Sequence, residues 1–329
     1  MNYDFICGLD VSKLSLDLCL IDTEGHQIDH DKIANDSLAI KKWIQSLEKQ
    51  YPDSWILFCL EPTGHYSNIV SAALLSSGKS VWLANPSDIR MSIGMKRGKN
   101  DRIDAQRIAE YGFRFQDKVR LLTSNQVELQ ELSQLLTYRE LLVADKGKYV
   151  GQLTDYPDFL KKSVHDLINQ VNRKLVKELE QQIARIDQQI EAYIDSHNPL
   201  KEQYNLLLSI PGVGKILAQT LIAYTAGFTR FTTARQLACH AGVAPYEYSS
   251  GTSIKNKRRV SHRANKRLKS LFHMAALSVI RSKGELQEYY LRKVGEGKSK
   301  LLVLNAIRNK LIHRIFAVLL RGEVYKKFA

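Results

Sequence analysis

The sequence predicts an α/β layer domain, then a stretch of long helices, then a basic and mainly helical C-terminal part. Short apolar runs alternate with helix-like stretches at the start of the chain, and heptad-like apolar spacing follows. The charge is also divided. Residues 201–329 hold 24 Lys or Arg against 6 Glu and no Asp, a balance of +18, whereas the first 200 residues carry −4.

Residues 3–9 (YDFICGL) and 14–21 (LSLDLCLI) read as strands, the second alternating apolar and polar, with DVSK as a tight connection. A helix is expected around Leu38 to Leu47. A third strand, Trp55 to Leu60, runs into Glu-Pro-Thr-Gly, a strong stop signal. His65 to Ser76 reads as a helix, Ser80 to Ala84 as a strand, and Asp101 to Tyr111 as a helix. From about Val127 to Ile194 the pattern is that of long helices. Leu179, Ile183, Ile186, Ile190 and Tyr193 step by four and three, which makes a coiled-coil seam. The seam suits a hairpin within the chain or a zipper between copies, and spacing alone does not choose. Tyr156-Pro157 reads as the turn between helices. A third unit begins after His197-Asn198-Pro199 and closes with a helix from about Lys300 to Leu320. The expected domains are therefore 1–118, 119–200 and 201–329.

Composition sets bounds on function. Hydrophobic residues make up 44% and charged ones 25%, an ordinary globular balance. No apolar run reaches membrane-spanning length, and the start MNYDFICGLD has no signal-peptide pattern, so an intracellular, cytoplasmic protein with no membrane partner is expected. Cys7, Cys19, Cys59 and Cys239 show no CxxC spacing and read as small buried hydrophobes rather than disulfides or zinc ligands. A polycationic half of this size is a footprint for phosphate backbone, because each neutralised phosphate releases counterions.

The acidic residues of the first half have distinctive settings. Asp10 closes the first strand, Glu61 closes the third, and Asp101 and Asp104 lie three apart on one helix face. Taken singly, each has a plainer reading as a turn, capping or first-turn acid. Together, carboxylates at strand ends and on a neighbouring helix can converge above a sheet edge. Such a cluster repels itself unless divalent cations neutralise it, and oxygen-only ligands favour Mg2+, or Mn2+, over zinc.

The runs GLDVSK, LEPTGHY and KNDRIDAQRIA resemble the three acidic motifs of the insertion-sequence 110 family of transposases and related DNA invertases. The similarity extends over essentially the whole chain. It implies a RuvC-like RNase H fold for the N-terminal domain, with Asp10, Glu61, Asp101 and Asp104 as metal-binding catalytic acids. It also implies a C-terminal serine, typically before a glycine, that attacks the DNA phosphate. The matching residue is Ser250 before Gly251, with Ser249 and Ser253 kept as alternates. A structured guide RNA encoded by the element is a further implication of the family.

The basic half supplies its own signals. IPGVGKILA, residues 210–218, resembles a helix-hairpin-helix, whose glycines allow a tight turn and whose next helix start can hold a phosphate. A plain helix-to-helix turn fits it equally well. Lys215, Lys255, Lys257, Arg258, Arg259, Arg263, Lys266, Arg267 and Lys269 are the expected nucleic-acid contacts, with few acids among them. A serine hydroxyl needs a base or metal to become a nucleophile, and Glu247 is the one acid near Ser250. The activating charge is thus expected from the N-terminal metal site, on the same chain or a partner's. The leading reading is DNA strand exchange on donor and target duplexes by a dimer or tetramer. A metal-dependent nuclease or junction resolvase with an idle serine, and a binding protein without chemistry, are the alternatives.

Overall fold

A computed structural model of the chain describes residues 3–94, 100–153, 161–244, 249–250, 254–255 and 264–326. It divides into two compact units, residues 1–130 and 131–329. The first holds a five-stranded sheet in the order β3-β2-β1-β4-β5. Its strands are β1 (Phe5–Val11), β2 (Ser15–Ile21), β3 (Gln27–Ala34), β4 (Ile56–Leu60) and β5 (Ser80–Leu83). β1, β2 and β3 are antiparallel neighbours, and β4 and β5 join β1 in parallel on its other side. This mixed sheet, with helices on both faces, is an RNase H-like α/β domain, as the resemblance implied.

The two faces bury different sets of side chains, as the period-two rule of strands requires. Cys7, Leu9 and Val11 of β1 and Leu16, Leu18 and Leu20 of β2 pack under α1 (Ser37–Gln50) and α2 (Tyr66–Ser76). Ile6, Cys19, Ile21, Leu57 and Cys59 face the other way, against Ala105, Ile108 and Ala109 of α4 (Asp101–Arg114). The short α3 (Pro86–Ile93) precedes α4 in the chain, and its Ile89 joins the same cluster. Caps fix the helix starts: Asp36 accepts from the Leu38 and Ala39 N–H groups, and Asn100 accepts from that of Ile103.

β3 has no apolar signature in the sequence. Its residues, QIDHDKIA, are mostly exposed and carry no apolar alternation, because it is an edge strand with charges along it. Cys7, Cys19 and Cys59 are buried as expected, but Cys239 is exposed.

In the second unit, α5 (Ser124–Gln152), which begins in the first, and α6 (Lys162–Asp195) run antiparallel. Arg139 pairs with Asp187, Lys146 with Glu180, and Asn172 bonds Gln152, so partner positions rise on one helix as they fall on the other. Of the expected seam, Ile183 and Ile190 are buried, and Leu179, Ile186 and Tyr193 are partly so. The Tyr156-Pro157 turn falls outside the described residues. Beyond it, α7 (Asn198–Leu208), α8 (Lys215–Thr225), α9 (Ala234–His240), α10 (Lys266–Arg281), α11 (Glu285–Gly295) and α12 (Lys300–Arg321) build a helical core around Leu207, Leu221, Phe272, Leu311 and Ile315. A short ribbon, β6 (Ser249–Ser250) with β7 (Ile254–Lys255), completes the described elements.

Candidate active site

Strand parity assembles the acids. Asp10 follows Ile6 and Gly8 by steps of two on β1, and Glu61 follows Leu57 and Cys59 past the end of β4, so both acids lie on the face that α4 covers. Asn35 braces this edge, donating to the Ser12 carbonyl at 2.9 Å and the Tyr66 carbonyl at 3.0 Å. It thereby ties the β1–β2 turn beyond Asp10 to the start of α2 beyond Glu61.

Asp101 and Asp104 sit in the first turn of α4, where the helix dipole favours negative charge. Close docking of α4 onto β1 carries them to the sheet edge. Gly8 makes that possible: a Cβ there would stand 2.3 Å from both the Ala105 carbonyl oxygen and the Ala109 nitrogen. Only hydrogen fits between strand and helix.

The electrostatics follow from this arrangement. Burial, and then the charges of Asp101, Asp104, Asp17 and Glu61, push the Asp10 carboxyl up from its usual 3.8 to about 6. Asp17, on β2 directly opposite Asp10, is a fifth acid of the neighbourhood and is only 4% exposed. Two cations attend the cluster. Arg107 lies 3.0 Å from Asp104, and the Lys32 ammonium lies 2.8 Å from Asp17 and 3.8 Å from Asp101.

A set of oxygen donors alone fits a hard divalent cation. Among the described residues, no three His, Cys, Asp or Glu side chains converge to metal-ligating distance. The acids are neighbours without forming a closed cage, and Lys32 and Arg107 engage two of them. Gly8, Asp17, Lys32 and Arg107 went unnoticed in the sequence. The inward parity of Asp17 in SLDLCLI was the one signal available for any of them.

The basic half is described in part. Ser249 and Ser250 form β6, with Ser250 paired to Ile254 and Ser249 to Lys255. Ser253, Lys257, Arg258, Arg259 and Arg263 lie outside the described residues. Lys215 opens α8 but holds Glu191 at 2.7 Å, and Arg267 holds Glu140 at 2.5 Å, so these two cations already have acidic partners. Lys266 is exposed and Lys269 partly so. The IPGVG turn joins α7 to α8. Its Gly212 has φ +88° and lies so close to α10 that a Cβ would meet Val279 Cγ2 at 2.4 Å.

Sequence comparison decides the family. A transposase family model matches residues 7–162, and the model described as Transposase IS116/IS110/IS902 family matches residues 204–291. The chain belongs to the IS110 transposase family. Family members similar over nearly their whole length include a pilin gene-inverting protein of Moraxella lacunata, 26% identical over 97% of both chains. Others are the 44.8 kDa protein of insertion element IS116 from Streptomyces clavuligerus (25% identical, 95% of this chain and 94% of that one) and the IS1111A transposase of Coxiella burnetii (24%, 98% and 91%). Among solved structures, Thermus thermophilus RuvC in complex with a Holliday junction substrate aligns at 13% identity and TM-score 0.30, covering 36% of this chain and 99% of that one. The IS110 motifs fall on the elements described above: GLDVSK on β1 and its turn, LEPTGHY from the end of β4 to the start of α2, and NDRIDAQRIA on α4 and its cap. No helix among the described residues is long and apolar enough to cross a membrane.

Proposed function

We propose that this IS110 transposase breaks and rejoins DNA with Ser250 as nucleophile, and that Asp10, Glu61, Asp101 and Asp104 hold a divalent cation at the reacting phosphate. The half-buried Asp10 carboxyl, with four other carboxyls raising its pKa, carries this reading. A cluster so charged needs a cation partner. A bound Mg2+ or Mn2+ supplies positive charge to the scissile phosphate and lowers the cost of ionising the attacking hydroxyl.

The residues divide the work. The serine oxygen bonds to phosphorus while a sugar oxygen leaves it, and the serine's lost proton is balanced by the one the departing sugar hydroxyl gains. Rejoining reverses these bonds with a hydroxyl from another strand. Relatives named as transposases and as a gene-inverting protein favour exchange of strands over simple hydrolysis. The exposed cations of the C-terminal half bind duplex backbone, with structured RNA as guide and an oligomer bringing two duplexes together. The α7–α8 turn serves as a helix-hairpin-helix against phosphate.

The four acids are tested by Asp10→Asn, Glu61→Gln, Asp101→Asn and Asp104→Asn in a reconstituted strand-exchange assay with Mg2+. Each is expected to lower the rate at least about 100-fold while leaving DNA binding at constant salt intact. Unchanged exchange in any two of them would overturn the assignment.

A further inference from the structure

The sheet places a third charged position in line with the catalytic edge. Asp10 of β1 stands directly opposite Asp17 of β2, and Asp17 stands directly opposite Lys32 of β3. Residues opposed in an antiparallel pair project from the same face, so these side chains form one row, negative, negative, positive, under the start of α4. Asp17 is almost wholly buried; the Lys32 ammonium lies 2.8 Å from it and the His30 Nε2 3.8 Å. Lys32 itself is half exposed and reaches on to Asp101 at 3.8 Å. Its charge therefore lies between a carboxylate outside the family's four and one inside them.

We infer that Lys32 is a resident cation of the carboxylate cluster beside Arg107, a positioning residue that holds Asp17 out of the metal-ligand set and competes with the divalent ion for Asp101. Neither role is carried by the four acids themselves. A buried carboxylate paired across the strand to Asp10 would, without Lys32, be a fifth oxygen ligand and tighten the site. With Lys32 in place, metal binding must displace the ammonium from Asp101 while the Asp17 pairing retains it nearby. The consequence is a site that binds metal weakly alone, leaving DNA phosphate to complete it.

The inference rests on the metal reading above, and one titration separates the two. Free Mn2+ is followed by its electron paramagnetic resonance signal as it is added to the full chain, for wild type, Lys32→Met, Lys32→Arg and Lys42→Met. Lys42 lies on α1, on the opposite face of the sheet, and controls for loss of bulk charge. Lys32→Met is expected to bind Mn2+ about tenfold more tightly, while Lys32→Arg and Lys42→Met stay within about twofold of wild type. Lys32 is 54% exposed but is the close cation of the buried Asp17, so circular dichroism first confirms that each variant is folded, and Lys32→Arg keeps the pair charged. Equal or weaker binding in Lys32→Met, or equal tightening in Lys42→Met, would overturn the role of Lys32 alone. Absence of binding in every variant would overturn the metal site and this inference with it. Asp17→Asn supplies a second arm. It frees the ammonium to move onto Asp10 and Asp101 and is expected to weaken Mn2+ binding, and tighter binding there would contradict the row.

Discussion

Asp10 shows how a single side chain registers the whole cluster. Its carboxyl is raised to about 6 by burial and then by Asp101, Asp104, Asp17 and Glu61. A raised carboxyl is favoured in its neutral form by the folded state. Its contribution to stability is therefore fully present below the usual 3.8 and is lost as pH rises through about 6. In EDTA, Asp10→Asn is expected to raise the melting temperature at pH 7 and to leave it unchanged at about pH 3.5, as thermal unfolding at both pH values will show. Adding Mg2+ should stabilise the wild type increasingly across the same window, because only the ionised cluster binds it. The four acids were singled out in the sequence by their joint placement near strand ends and on one helix face and by the motifs that hold them. Lys32 and Asp17 were not, because their meeting depends on strand register between residues that no local pattern pairs.

At the scale of elements, the decisive contact is α4 on β1. A Cβ at Gly8 would overlap backbone atoms of Ala105 and Ala109, and backbone cannot move aside as a side chain tip can. Gly8→Ala is expected to cost roughly 1–3 kcal/mol by urea denaturation. It should also lower strand exchange about 100-fold under conditions where the protein stays folded, because it lifts Asp101 and Asp104 away from Asp10. Loss of stability without loss of rate would mean that α4 does not set the acid geometry. The helices of this unit were read from periodicity and caps, and β1, β2, β4 and β5 from apolar runs. β3 escaped because an edge strand stays wet and carries charges that resist pairing with other chains. The helical character of α6 was legible in its spacing, but the antiparallel run of α5 beside it was not. Arg139, Lys146 and Gln152 of α5 supply the cross-links that place both helices in one chain.

At the scale of the whole molecule, the chain separates its charges: carboxylates on an RNase H-like sheet, and a +18 helical half carrying the proposed nucleophile. That division was plain from composition, since charge counts require no fold. Which cations remain for phosphate was not, because Glu191 and Glu140, distant in sequence, already hold Lys215 and Arg267. Family membership explains the combination, and the proposed serine nucleophile would tie it to chemistry. The most direct test is to trap the protein on DNA. Duplex substrate is incubated with protein, any guide RNA and Mg2+, then denatured in detergent and resolved by mass. The account predicts a covalent adduct with wild type, its phosphopeptide mapping to Ser250, and no adduct with folded Ser250→Ala or with Asp10→Asn. Cut DNA that carries no protein, formed equally well by Ser250→Ala, would contradict it and make the enzyme a hydrolase.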